Sequence, residues 1–148
     1  MRRTMLMIVF AASLSACVSN RVSLRTVDAA EARWRSGGIA GYGFKLRTSA
    51  FTLDARCEGA DGAVEVEVRS NHTTKFGTCE LNSKFAEGFG SMPALFSTVR
   101  EERAERPSEL KVKFNDKLGY PEVIGINYAR WVTDHGVTYH VSDFRRLH

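Results

Sequence analysis

The chain has 148 residues, of which 43% are hydrophobic and 26% are charged, so its length and composition fit one globular domain and are short for two. It carries 21 basic and 17 acidic residues, and the basic count falls to 19 once Arg2 and Arg3 are set aside with the N-terminal segment. An excess this small and scattered excludes the basic stripe of a nucleic-acid-binding protein.

Residues 1–16 have the composition of a secretory signal peptide. Arg2 and Arg3 supply positive charge, residues 4–14 form an almost uncharged apolar run, and two small residues follow. This order is typical of signal peptides, and the apolar run is too short to span a membrane. Export is a second reason to expect no nucleic-acid partner.

Residues 14–17, with the sequence Leu-Ser-Ala-Cys, resemble the lipobox of bacterial lipoproteins, in which small residues precede the acylated cysteine. This resemblance implies a palmitate-type lipid anchor on Cys17, which attaches the protein stably to a membrane when two or more chains are present. An Asp directly after the acylated cysteine resembles an inner-membrane retention signal. This chain has Val18 at that position, so in a Gram-negative cell we expect the protein in the outer membrane, facing the periplasm. The alternative is an ordinary signal peptide followed by an unmodified cysteine.

Cys57 and Cys79 are then an even pair in an oxidising compartment, which predicts a disulfide bond. Closing a loop of this length stabilises the fold by about 3 kcal/mol in the chain-entropy model. Two free redox-active thiols are the alternative, disfavoured because no Cys-x-x-Cys spacing occurs.

The first element expected after a tether at residues 17–27 is a short helix. Asp28 and Glu31 have the spacing of a capping box, with Asp28 as the N-cap. The helix runs through Trp34, its single large anchor on the core, and ends at residues 37–38, two glycines. The glycine-rich stretch at 38–43 follows a helix and precedes a strand, which is the wrong order for a phosphate-binding loop.

Two strands with apolar residues at every second position come next, at 42–47 and 64–69, and residues 51–57 could extend the first past a bulge. The glycine-containing turn at 59–62 makes them a hairpin. Glu65 and Glu67 are predicted to form a solvated face opposite Lys45 and Arg47, in preference to a pair of catalytic carboxylates.

A turn at 71–74, a weaker strand at 75–81 and a loop at 82–90 follow. Ser91 is predicted to cap a second helix whose apolar stripe is Met92, Leu95, Phe96 and Val99. Residues 100–106 are predicted to be a solvated charged tail.

The last part of the sequence predicts two strands at 110–114 and 123–128, then a turn at 134–136 and a closing strand at 137–141, with Phe144 packed on the core. We expect the pair at 110–128 in the middle of the sheet and the closing strand at its edge. The predicted fold is α+β: residues 28–148 form one small domain with an antiparallel sheet of about four to six strands in hairpins or a meander, packed against one or two helices.

The pattern around Leu95-Phe96, Val-Lys-Phe-Asn-Asp at 112–116, Leu-Gly-Tyr-Pro at 118–121 and Tyr-x-Val at 139–141 resembles an uncharacterised family of small bacterial lipoproteins, domain of unknown function number 6174. The likeness covers about residues 34–144. Family members often hold two cysteines as Cys-x-Cys, whereas this chain has the widely spaced pair. The resemblance implies a location in the cell envelope. Because the family has no assigned activity, the resemblance supplies no catalytic residues.

No metal site is predicted, because the four histidines are scattered, and no cofactor is expected. Serine hydrolysis is not expected either, because no Gly-x-Ser-x-Gly sequence occurs. Asp116, Asp134 and His135 lie at turn ends and could pair, and Tyr120 could be core or an exposed binding residue. The first hypothesis is a non-enzymatic binding or structural module that contacts an envelope protein or peptide. The alternatives are an envelope hydrolase built on Asp116, Asp134 and His135, or an inhibitor of an envelope protease.

Overall fold

The computed structural model describes residues 21–49, 57–128 and 136–147, which form one six-stranded antiparallel sheet with helices on one face. In chain order the elements are α1 (Leu24–Ser36), β1 (Tyr42–Thr48), β2 (Val64–Arg69), β3 (His72–Phe76), α2 (Lys84–Phe89), α3 (Met92–Ala104), β4 (Glu109–Phe114), β5 (Pro121–Asn127) and β6 (Gly136–Arg146). The α+β prediction is confirmed. The signal peptide, Cys17, residues 51–56, Asp134 and His135 lie outside the described residues.

The strands lie in the order β3-β2-β1-β6-β5-β4. The β1–β2 and β4–β5 hairpins are confirmed, but the predicted place of the last strand is wrong. β6 is central, pairing with β1 on one side and β5 on the other, and β4 is at the edge. Tyr139 and Val141 are buried, so this strand joins the two hairpins into one sheet, which local periodicity does not encode.

The core lies between the helices and the alternating apolar residues of the strands. Phe44, Val66 and Ile124 are at most 1% exposed, and Phe96 of α3 stacks on Phe114 of β4. Trp34 is buried in edge-to-face contact with Phe144, as predicted for both residues. The stripe on α3 is also core: Met92, Leu95, Phe96 and Val99 are fully buried.

α1 begins earlier than the sequence predicts. Its N-cap is Ser23, whose side chain accepts a hydrogen bond from the Thr26 amide, and residues 24–27, predicted to be tether, are helical. Asp28, predicted as the N-cap, lies inside the helix and forms an ion pair with Arg100 at 2.6 Å. The prediction is wrong because Ser is as good a cap as Asp, and the amide of Val22 is held at 2.8 Å by the carbonyl of Leu110, which fixes the start of the helix.

The segment between β2 and α3 also differs from the prediction. Ser70 and Asn71 both have positive φ angles, so the turn is tighter than expected and β3 begins at His72. α2 occupies part of the predicted loop at 82–90, and Ser83 caps it. A six-residue helix is too short for a periodic apolar pattern to reveal it.

Two tertiary links hold the sheet and its flanking segments together. Cys57 and Cys79 form the predicted disulfide bond. The amide of Met92, at the start of α3, donates a hydrogen bond of 2.9 Å to the hydroxyl of Tyr42. Burial raises the pKa of Tyr42 to about 12, despite the opposing effect of this hydrogen bond, so the hydroxyl stays neutral at physiological pH.

Candidate binding surface

The face of the sheet opposite the helices is open, since no described element packs against it. We call it the open face. The charged side chains of β1, β2, β3 and β6 that alternate with the core residues lie on it, and they are half-buried or exposed. His140 lies near its centre, opposite Arg47 of β1 and Val123 of β5, and is exposed.

One ion-pair network on the open face is centred on Glu65. Its carboxylate accepts hydrogen bonds from Lys75 at 2.6 Å and Arg145 at 2.8 Å, and Arg145 also lies 3.5 Å from Glu67. Two hydrogen bonds lower the pKa of Glu65: the one from Lys75 has the larger effect and the one from Arg145 the smaller. The carboxylate is therefore ionised at neutral pH and unsuited to act as a general acid.

Gly43 makes this network possible. Arg145 on β6 and Glu67 on β2 are both register partners of Gly43 on the intervening strand. A β-carbon at Gly43 would lie only 2.9 Å from the guanidinium carbon of Arg145. The missing side chain lets the guanidinium cross β1 and reach the carboxylates of β2.

A second network is centred on Asp61, in the turn before β2. Its carboxylate accepts a hydrogen bond of 2.7 Å from Lys45 and lies 3.6 Å from Arg47. The hydrogen bond from Lys45 lowers the pKa of Asp61. Lys45 does face Glu65 across β1 and β2, but its ion pairs are with Asp61 and, at 3.8 Å, Asp143.

Of the residues predicted as a binding surface, the structure describes Tyr120 and Asp116. Tyr120 is only 8% exposed and stacks on Phe144, with ring centres 4.8 Å apart, so it is core. Asp116 is exposed in the β4–β5 turn, and its carbonyl oxygen accepts a hydrogen bond from Arg33. Asp134 and His135 lie outside the described residues.

The sequence identified Glu65 and Glu67 as a charged face but missed the role of Arg145. In the sequence, Arg145 stands beside Arg146 near the end of the chain, far from Glu65 and Glu67. Its partners on β2 could be found only from the strand order, and the glycine at 43 was the one local sign of a crossing side chain.

The described residues contain no group of three or more His, Cys, Asp or Glu side chains that could hold a metal ion. Within the same ranges, no helix is long and apolar enough to cross a membrane. The open face carries charges of both signs, arranged in ion pairs.

Comparison with curated proteins and with solved structures gave no match. The family described as "Family of unknown function (DUF6174)" matches residues 26–146, which include all the described strands. The chain belongs to this family of unknown function.

Proposed function

We propose that this protein is a lipid-anchored lipoprotein of the bacterial cell envelope, and that its domain is a non-enzymatic binding module. The anchor is Cys17, and the membrane is the outer membrane, on its periplasmic side, in a Gram-negative cell. The domain presents the open face to an envelope protein or peptide that carries both acidic and basic side chains.

The anchor is supported by the Leu-Ser-Ala-Cys sequence after a positively charged, apolar start. The distance along the chain from Cys17 to the domain is short. Three residues lie between Cys17 and Arg21, so the two Cα atoms are four steps and at most about 14 Å apart when the chain is fully extended. An acylated Cys17 would therefore keep the domain at the membrane surface.

The binding role rests on one observation: the helices lie on a single face of the sheet, and the other face carries charges held in place by ion pairs. Fixed charges of both signs favour a partner with the complementary arrangement and disfavour others. The lowered pKa of Glu65 and of Asp61 suits a role in recognition, where the charge must persist, better than a role in proton transfer.

The anchor is tested with Cys17→Ala, compared with Val18→Ala as a control that keeps the cysteine. We expect the first variant to leave the membrane fraction of lysed cells and to lose metabolic labelling by a palmitate analogue, because no thiol remains to be acylated. The control should behave like the unaltered protein. Membrane association and labelling unchanged in Cys17→Ala would refute the anchor.

The binding role is tested by photo-crosslinking in intact cells. A photoreactive residue at His140, near the centre of the open face, is compared with one at Ala29, exposed on α1. We expect discrete protein adducts from position 140 and none of the same mass from position 29. No adducts from position 140, or the same adducts from both positions, would contradict binding through the open face.

A further inference from the structure

The entry of the chain into the domain is fixed beside the edge strand β4. Arg21 forms a parallel bridge with Leu110, and the Val22 amide donates a hydrogen bond of 2.8 Å to the Leu110 carbonyl. The Nε of Arg103 on α3 donates a hydrogen bond of 2.8 Å to the Val22 carbonyl. These contacts define where any N-terminal anchor is attached.

Four arginines surround this entry point. A surface cavity of about 400 Å³ is lined by Arg21, Leu24, Arg100, Arg103, Ala104 and Arg106, with no acidic residue among them. Leu24 is 47% exposed, which makes it one of the few large apolar side chains on the described surface. We call this group the arginine cavity.

The arginines contributed by α3 and the residues after it differ in their partners within the described part of the chain. Arg100 is paired with Asp28 and Glu31 at 2.6 and 2.7 Å. Arg103 donates to a carbonyl oxygen, which carries no net charge, and neither it nor Arg106 has a carboxylate within 4.0 Å among the described residues. Glu101 and Glu105 are exposed near the same end of α3 but do not line the cavity.

We propose that the arginine cavity binds the phosphate groups of anionic phospholipids in the membrane that holds Cys17. The proposal rests on the lipid anchor proposed above, because a span of at most about 14 Å brings the cavity to the headgroup layer. Guanidinium groups match phosphate oxygens with two parallel hydrogen bonds. Leu24 adds an apolar side chain that can enter the boundary between headgroups and acyl chains.

This contact would orient the whole domain. Arg21, which lines the cavity, is bridged to Leu110 of β4 at one edge of the sheet, whereas β3 forms the opposite edge. Six strands spaced about 4.8 Å apart put β3 roughly 24 Å from β4. The β1–β3 part of the open face, with its ion-pair networks, is thus held away from the membrane and accessible to a partner.

The test uses the processed chain from residue 17 with Cys17→Ser, so that no acyl chain contributes while every described element is kept. Co-sedimentation is measured with vesicles of phosphatidylcholine alone and with vesicles that also contain phosphatidylglycerol. We expect binding only to the anionic vesicles and a loss of binding at high salt, because salt screens exposed charges.

The decisive variant is Arg21→Gln combined with Arg106→Gln, which leaves the hydrogen bond of Arg103 in place. We expect affinity for the anionic vesicles to fall by about 10- to 30-fold, from the usual contribution of a basic residue near an anionic surface. The matched control, Arg69→Gln with Lys75→Gln, removes the same charge at the other end of the sheet. Circular dichroism and the melting temperature verify that both variants are folded.

Three results would overturn the proposal: no binding to anionic vesicles, equal binding to both vesicle types, or equal losses in the decisive variant and the control. The last would mean that overall charge alone drives binding. Because the assay needs no acylation, its failure is separate from failure of the anchor, which Cys17→Ala tests in cells.

Discussion

Gly119 shows how one residue sets the approach of the β4–β5 turn to α1. It has a φ of +82°, and a β-carbon there would lie 2.2 Å from the carbonyl oxygen of Ala30. Its amide donates a hydrogen bond to the Asn115 carbonyl, which closes the turn. The glycine therefore has a structural role that requires no ligand.

Gly119→Ala should destabilise the fold more than the same change at Gly62. Both glycines have positive φ, but nothing lies within 4 Å of a β-carbon at Gly62. We expect a loss of about 1 kcal/mol for Gly62→Ala from backbone strain, and about 2–4 kcal/mol for Gly119→Ala, because overpacking adds about 1–3 kcal/mol. Urea unfolding measures both, and equal losses would contradict the close contact with α1.

At the scale of elements, the disulfide joins segments on either side of the β2–β3 hairpin. Cys57 precedes β2 and is buried, while Cys79 follows β3. β3 is an edge strand of only five residues that pairs with β2 alone, so the bridge adds a covalent link to an element with one neighbouring strand.

Reduction of this disulfide should lower the free energy of unfolding by about 3 kcal/mol, the chain-entropy value for a loop of this length. Denaturant unfolding with and without reductant measures the effect. The Cys57→Ala/Cys79→Ala variant is the control and should show no response to reductant. Non-reducing mass spectrometry should find one linked peptide containing both cysteines, and two alkylatable thiols in the folded protein would contradict the bridge.

At the scale of the whole molecule, ion pairs across the sheet tie stability to pH. Hydrogen bonds from basic or amide side chains lower the pKa of Asp61, Glu65 and Glu122. A carboxyl group whose pKa is lower in the folded than in the unfolded chain stabilises the fold above its unfolded pKa of about 4. That contribution is lost as the pH falls through the lower, folded value.

We therefore expect the urea midpoint to be level near neutral pH and to fall below about pH 4. Asp61→Asn combined with Glu65→Gln should make this decrease smaller, because two of the shifted groups no longer titrate. Glu80→Gln with Glu101→Gln is the control, since neither residue has a basic side chain within 4.0 Å in the described part of the chain. Equal acid dependence in both double variants would contradict the role of the networks.

Much of the fold could be predicted because most of its helices and strands have a recognisable pattern of apolar residues within their own stretch of sequence. The alternation in β1, β2 and β4 and the stripe on α3 correspond to buried or half-buried side chains, since each pattern reports which face of an element meets the core. The helix cap at Ser91 was found for the same reason: the capping bond spans only three residues.

The candidate surface could be predicted only in part. Glu65 and Glu67 were assigned to a charged face, but their partner Arg145 lies about eighty positions further along the chain. Asp28 was placed as a cap because its local spacing fits, whereas tertiary contacts of Val22 and Arg100 gave it another role. Interactions between distant positions leave no periodic sign in the sequence.

The sequence alone determined the fold class, the disulfide pair and the prediction of a lipid anchor at Cys17, because each depends on composition or on spacing along the chain. Only the tertiary structure decided that β6 lies between the two hairpins. That placement brings Arg145 over Gly43, while the pairing of the N-terminal segment with β4 gathers four arginines beside Leu24. The order of strands in a sheet is set by which hairpins pack together, a choice that no local pattern contains.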